Sequence, residues 1–354
     1  MANTIVGLEI TEEGVRAAEV TVGKSPMLVA YGAVPLPPEA AGDSEVNDPD
    51  AVALALRQLW SRAGIKGKHV VLGLASRRIL VREYTTAAMR PDLLRQALPF
   101  QVQDLLPVPA EQAVLDFYPV LEDAGQVTGL LVAAVAESVE QVVGTIGKAK
   151  IKVDVVDLAP FGLARAARRV AAPGETVAAL HLGDHTSYVV VLEGGVPRFV
   201  RIIPIDITTN AVHVRELFQL GEMADAAAPI LEEALETVPP TAGARRSRAA
   251  ARAAGVRPTS GMSSSAIDDL VTRLASTLRF YTDRAVDQQP ITRVLLTGAG
   301  ATVPGVSDAL AASIPMPVEF LSASQLLRSK VPIESSDDDL NLVTTIGLAL
   351  GEGR

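Results

Sequence analysis

Three short runs in this sequence hold residue types that can cradle an anion. They are Thr11-Glu12-Glu13-Gly14, Gly183-Asp184-His185-Thr186-Ser187 and Gly298-Ala299-Gly300. Each follows an apolar run with strand character: "TIVGLEI", "TVAALHL" and "RVLLT". Small residues let backbone N–H groups approach a phosphate, and ligands of α/β folds gather beyond the carboxyl ends of strands. Glu9 adds a carboxylate before the first run, and Arg16 adds a cation just after it. Glu12 and Glu13 work against a phosphate. Two unit charges about 4 Å apart repel by roughly 4 kcal/mol at an effective dielectric near 20. Only if both side chains turn outward, leaving their N–H groups facing in, does this run suit a phosphate. Two readings therefore stand: a phosphate loop, or an ordinary acidic β-turn. Gly298 and Gly300 allow the same choice, since glycines also serve any tight strand-to-helix turn. His181 and His185 have a spacing that would pair them on a helix. They fall instead at a strand end and a turn, with no third ligand nearby, which favours structural roles over a metal.

The elements around these runs are of α/β type. The chain has 354 residues, 48% hydrophobic with few aromatics, so two domains or several subdomains are expected. Residues 4–36 read as a three-strand meander, and 49–63 as a helix started by Pro49 and Asp50. "RPDLLRQALPFQVQDLLPVP" reads as a helix with Pro99 in its middle, where a kink is expected. The opening pattern returns over 176–206 as strand, small-residue turn, strand, glycine turn, strand. Placing Glu9 over His181 aligns the two copies, and such a repeat predicts two related lobes. Residues 207–236 read as helical. Residues 239–265 are rich in Pro, Gly, Ser and Ala, with five arginines. They read as a mobile, solvated linker, or else as a segment touching acidic lipids. A strong helix follows, capped by Ser265 or a neighbouring serine, and a last one spans 340–350.

The net charge of −9 argues against a basic face for nucleic acid. The absence of cysteine excludes disulfides, thiolate catalysis and cysteine-bound metal. No basic segment opens the chain as a signal peptide would, and no apolar run reaches membrane-spanning length. Contact with a membrane is expected only through partners.

Four longer stretches carry a family resemblance: "RQALPFQVQDLLPVPAEQAVLDFYPV" (95–120), "LLVAAVAESVEQVVGTIGKAKIKVDVVDLAPFGLARA" (130–166), "PRFVRIIPI" (197–205) and "RVLLTGAGATVPGVSDAL" (293–310). Together they resemble the PilM family of actin-like type IV pilus assembly proteins, relatives of the division protein FtsA. The resemblance implies an actin-like, ribonuclease-H-like α/β fold of two lobes with an FtsA/SHS2-type inserted subdomain. It divides the chain into a first lobe (1–76, 152–174 and 340–354), an insert (77–151) and a second lobe (175–339) that contains the linker. It also implies a cytoplasmic scaffold, peripheral at the inner face of the cytoplasmic membrane. Its partner would be the N-terminal cytoplasmic tail of a PilN-like membrane protein, with pilus motor ATPases or the platform protein as further partners.

The resemblance assigns ATP to Glu9, Thr11, Glu12, Glu13, Arg16, Gly183, Asp184, Thr186, Ser187, Gly298, Ala299 and Gly300, and offers Mg²⁺ only Glu9. This chain departs from the family here. The first loop, roughly G-L-D-I-G-S-S-S-V-K in the family, reads Gly7-Leu8-Glu9-Ile10-Thr11-Glu12-Glu13-Gly14-Val15-Arg16. The second replaces the metal-holding aspartate with His181, a poor partner for a hard cation. Either ATP is still held or the loops are relics, and hydrolysis is disfavoured because it needs charge placed at the phosphates. Leu93, Leu94, Ala97, Phe100, Leu105 and Leu106 form an apolar helix face, which is either core or a groove for the PilN tail. An active ATPase of the same fold and an FtsA-like division protein are the rival readings. Against the second, the sequence carries no amphipathic helix after 340–350.

Overall fold

The computed structural model describes residues 3–43, 45–212, 262–284 and 289–351. Most of the helix expected over 207–236, and the linker up to residue 261, lie outside the described residues.

The chain opens as β1 (Thr4–Ile10), β2 (Gly14–Thr21) and β3 (Met27–Pro35), followed by the short pair β4 (Ala41–Gly42) and β5 (Glu45–Val46). Helix α1 (Pro49–Ala63) begins where the Asp48 carboxylate accepts from the N–H groups of Asp50 and Ala51, and ends at Gly64 in the left-handed region. Capping satisfies N–H groups that the first helical turn leaves free, and glycine takes the left-handed conformation without a steric penalty. Next come β6 (His69–Leu74), β7 (Leu80–Ala87), α2 (Pro91–Gln101), β8 (Ala113–Asp123), β9 (Gln126–Val135), α3 (Ala136–Lys148), β10 (Lys152–Leu158) and α4 (Ala159–Arg168). The second half holds β11 (Thr176–Leu182), β12 (Thr186–Glu193), β13 (Val196–Pro204), α5 (Ser264–Arg284), β14 (Arg293–Thr297), α6 (Val306–Ser313), β15 (Val318–Phe320), α7 (Ala323–Leu326), β16 (Arg328–Ser329) and α8 (Ser336–Ala349).

Two sheets share one design. The first runs β10-β6-β1-β2-β3-β16, the second β13-β12-β11-β14-β15. In each, an antiparallel meander is extended by strands parallel to its first strand. Glu9 and His181 are both the penultimate residue of their sheet's first strand. Two such sheets in one chain make the actin-like fold. A third sheet, β7-β9-β8, is formed by residues lying between β6 and β10 of the first.

The buried side chains sort into layers. Val6, Leu8, Val15 and Ala17 on one face of the first sheet pack with Leu56 and Leu59 of α1 and Ile146 of α3. Leu180, Leu182 and Val189 on one face of the second pack with Leu270 and Leu274 of α5 and Leu310 of α6. Between the sheets lie α4 and α8, where Leu163, Val343 and Ile346 meet Ala18 and Val20 from one side and Val177, Tyr188 and Val190 from the other. The two helices cross closely because Gly162 and Gly347 meet there; a Cβ on Gly347 would lie 1.9 Å from the Gly162 carbonyl oxygen.

Two local expectations are corrected and a third is made specific. Pro99 stands two residues from the end of α2 rather than in its middle. It costs one N–H bond in a turn that is already ending. The neighbouring serine that caps α5 is Ser263, accepting from Ala266 N–H at 3.2 Å. The last helix starts at Ser336 rather than residue 340: Ser335 caps it and Asp337, Asp338 and Asp339 occupy its first turn, where acids favour a helix N-terminus.

Candidate functional site

The three small-residue runs do meet. They follow β1, β11 and β14, and parallel pairing of β11 with β14 puts the second and third at one sheet end. A Cβ on Gly298, whose φ is 88°, would lie 2.3 Å from the Leu182 carbonyl oxygen, and one on Gly300 would lie 2.9 Å from Leu182 Cβ. Both glycines are therefore required by packing of the third run on the second. That third run faces protein: Gly298, Ala299, Gly300 and Ala301 are all buried. The Ala299 N–H donates to Asn341 Oδ1 of α8 at 2.9 Å, and the Thr297 hydroxyl donates to the Leu340 carbonyl at 2.7 Å.

The first run is a closed turn. Thr11 N–H donates to the Gly14 carbonyl at 2.8 Å, and Gly14 N–H donates to the Thr11 hydroxyl at 3.2 Å. Glu12 and Glu13 do not turn outward. Glu13 is buried, and its Oε1 accepts from His185 Nε2 at 2.7 Å across the gap between the sheets. Glu12 Oε2 lies 3.4 Å from His185 Nδ1, while its Oε1 accepts from Asp43 N–H at 2.8 Å. His185 Nδ1 also faces Asp206 Oδ1 at 2.8 Å. These carboxylates hold the imidazole pKa up to about 9, the Glu13 hydrogen bond contributing most, against the opposing effect of partial burial. Asp184 is buried and accepts from the Thr209 hydroxyl. Thr186 and Ser187 open β12, and Ser187 is fully buried.

Behind the turns, Glu9 and Arg16 are cross-strand partners. Glu9 accepts from the Thr345 hydroxyl of α8. Burial pushes its carboxyl above the usual range, although Arg16 and Thr345 pull the other way. His181 stacks on Tyr188, ring centroids 4.6 Å apart. Burial, with help from the nearby Arg16 charge, pushes its pKa down to about 3. It is a neutral ring. Tyr188 shares a hydrogen bond with Thr344 at 2.8 Å.

This donor set does not fit a magnesium-bound triphosphate. Three carboxylates and one imidazolium occupy the approach between the first two turns. The position expected to hold metal charge is a neutral histidine, and the remaining carboxylate is buried against a threonine. Hard cations take oxygen ligands, several of them charged, and no group of three or more metal-binding side chains occurs among the described residues.

The apolar helix face expected over 93–106 is broken, because α2 ends at Gln101 and Leu105 and Leu106 lie beyond it, and it splits in two. Leu94, Leu105 and Leu106 pack around buried Leu98, Val102 and Leu131. Phe100, 83% exposed, and Leu93 face solvent, and Ala97 lies between. Between α2 and the third sheet runs a groove of about 520 Å³, floored by Leu94, Leu98, Leu115, Phe117 and Val127 and edged by Arg90, Arg95, Asp116 and Glu122. The sequence reading missed Asp206, Thr344, Thr345 and Tyr188. Only the alignment of the two meanders, which sets Tyr188 over Arg16, could have drawn attention to one of them.

The chain is similar to several known proteins. A family model described as type IV pilus assembly protein PilM matches residues 7–201. Among solved structures, a PilM–PilN type IV pilus biogenesis complex superposes with a TM-score of 0.73 at 21% identity, over 99% of this chain and 98% of that one. The cytoplasmic domain of EpsL, an inner-membrane component of the type II secretion system of Vibrio cholerae, gives 0.48 at 10% identity, covering 99% and 97%. Ethanolamine utilization protein EutJ from Carboxydothermus hydrogenoformans gives 0.48 at 15%, covering 99% and 90%.

Proposed function

The chain belongs to the PilM family of type IV pilus assembly proteins, and from that premise we propose that it is a scaffold holding the N-terminal tail of a PilN-like membrane protein. It works at the inner face of the cytoplasmic membrane, drawn there by that partner. No helix among the described residues is long and apolar enough to cross a membrane. ATP turnover is not part of this reading, because the charges between the first two turns oppose a triphosphate.

The observation that carries the docking site is the groove beside α2. Its floor is apolar and its rim carries both signs of charge. A short extended peptide binds such a groove by seating apolar side chains on the floor and pairing its charges at the edge. Binding of a synthetic tail peptide, followed by fluorescence anisotropy, tests it. Leu94→Glu and Arg95→Glu should each weaken binding at least tenfold. Wild-type affinity in both variants refutes the groove.

A second reading has its own observation. Leu74, Ile79, Ala134, Val135, Val139 and Val142 line a small apolar socket where β6, β9 and α3 meet, edged by the Arg78–Glu45 ion pair at 2.8 Å. It could take one apolar side chain of the same peptide. Loss of binding in Val139→Asn, with Leu94→Glu unaffected, moves the anchor to this socket.

A further inference from the structure

A nucleotide that closes a two-lobed cleft does so by lending charge and hydrogen bonds to loops on both sides. In this chain a side chain makes that connection. His185, in the first turn of the second sheet, reaches Glu13 in the first turn of the first sheet. Both ring nitrogens face carboxylate oxygens, at 2.7 Å for Nε2 to Glu13 and 2.8 Å for Nδ1 to Asp206. A neutral imidazole has one N–H, so one lone pair would point at a carboxylate; only the doubly protonated ring satisfies both.

The two ends of the connection differ. The Glu13 side chain is only 5% exposed, whereas Asp206 is 91% exposed. The bond across the sheets is thus shielded from water, and the bond within the second sheet's own connection is not. Screening weakens exposed pairs far more than buried ones, so the shielded contact is the one that holds. Each turn is also pinned locally. Ile205 N–H donates to the His185 carbonyl at 3.0 Å, and Ile207 N–H to the Asp184 carbonyl at 2.7 Å. On the other side, Glu12 accepts from Asp43 N–H.

Resting on the reading that the cleft does not work through ATP, we infer that His185 is a built-in bolt. It joins the two sheets' first turns in place of a bound nucleotide, so closure of the cleft is set by this chain's own charges. Opening the turns would separate the buried Glu13 carboxylate from its cation, and a triphosphate entering there would have to displace the ring and face Glu12, Glu13 and Asp206.

Spin labels on cysteines introduced at Arg62 in α1 and Asp308 in α6 test this by pulsed dipolar distance measurement. The chain has no native cysteine, and the two exposed sites lie on helices covering opposite sheets. The labelled wild type should give one narrow distance, unmoved by millimolar Mg-ATP. Adding His185→Ala should broaden and lengthen it, as should the milder Glu13→Gln. The exchange Glu13→Lys with His185→Glu should restore the narrow distance, which separates loss of the bolt from misfolding. A shift of the wild-type distance with Mg-ATP overturns the ATP-independent reading itself. An ATP-insensitive wild type whose distance survives both His185→Ala and Glu13→Gln overturns the bolt alone.

Discussion

The protonation state of His185 gives a stability prediction with a definite sign. Its pKa rises from 6.5 to about 9 in the folded chain, chiefly through the Glu13 hydrogen bond, with Asp206 and Glu12 adding to it. A raised folded pKa means that the charged ring stabilises the fold fully below about pH 6.5 and that this contribution is lost as pH climbs through about 9. The full displacement corresponds to about 3.4 kcal/mol at about 1.36 kcal/mol per pH unit. The ring is only partly buried, and water screens this to about 1–2 kcal/mol. Urea unfolding of wild type and His185→Ala, at about pH 6 and about pH 10, reads the difference. With a urea slope of about 3 kcal/mol per molar, the wild-type midpoint should exceed the variant's by about 0.3–0.7 M in acid. The two midpoints should converge in alkali. An equal gap at both pH values refutes a charged His185 as the source.

Other substitutions probe separate parts of the structure. Gly347→Ala drives a methyl into the Gly162 carbonyl and should cost about 3 kcal/mol, seen as a lowered urea midpoint. Glu9→Gln keeps an acceptor for the Thr345 hydroxyl and removes a buried carboxyl whose ionisation burial opposes. It should leave stability at neutral pH unchanged or raise it by about 1 kcal/mol, and a clear loss would show that the charge itself is needed. Leu98→Ala, in the small core under α2, should cost about 2–4 kcal/mol. It should also raise hydrogen exchange in α2 and β8 more than in β1. Asp48→Ala removes the cap of α1 and should cost about 1 kcal/mol, leaving peptide binding intact.

The meander and its recurrence were legible because strand alternation, small turn residues and their order are local properties, and the order of elements then limits the topology. Glu13 was not. Whether an acidic turn residue points outward depends on what stands opposite, and its partner lies 172 positions away. The same holds for the third turn, whose glycines suit a nucleotide contact and a tight crossing equally in sequence. Only the approach to Leu182 shows that packing needs them. On α2, a single apolar face became a packed half and an exposed half because the third sheet covers only the Leu94–Leu98–Val102 side. Helical spacing shows which residues share a face, not how wide the neighbour is.

The central position of α8 bears on the order in which the protein can be made. Gly7 and Gly73 of the first sheet lie against Thr345 and Leu348 of this helix, and Glu9 finds its hydrogen-bond partner 336 residues downstream. While the ribosome is still extending the second half, the first sheet has no α8 to cover this part of its inner face. Contacts so distant in sequence slow folding and leave apolar surface exposed meanwhile. A nascent chain halted before residue 336 should therefore remain protease-sensitive in β1 and β6 and recruit chaperones, and release of a chain that includes α8 should end both.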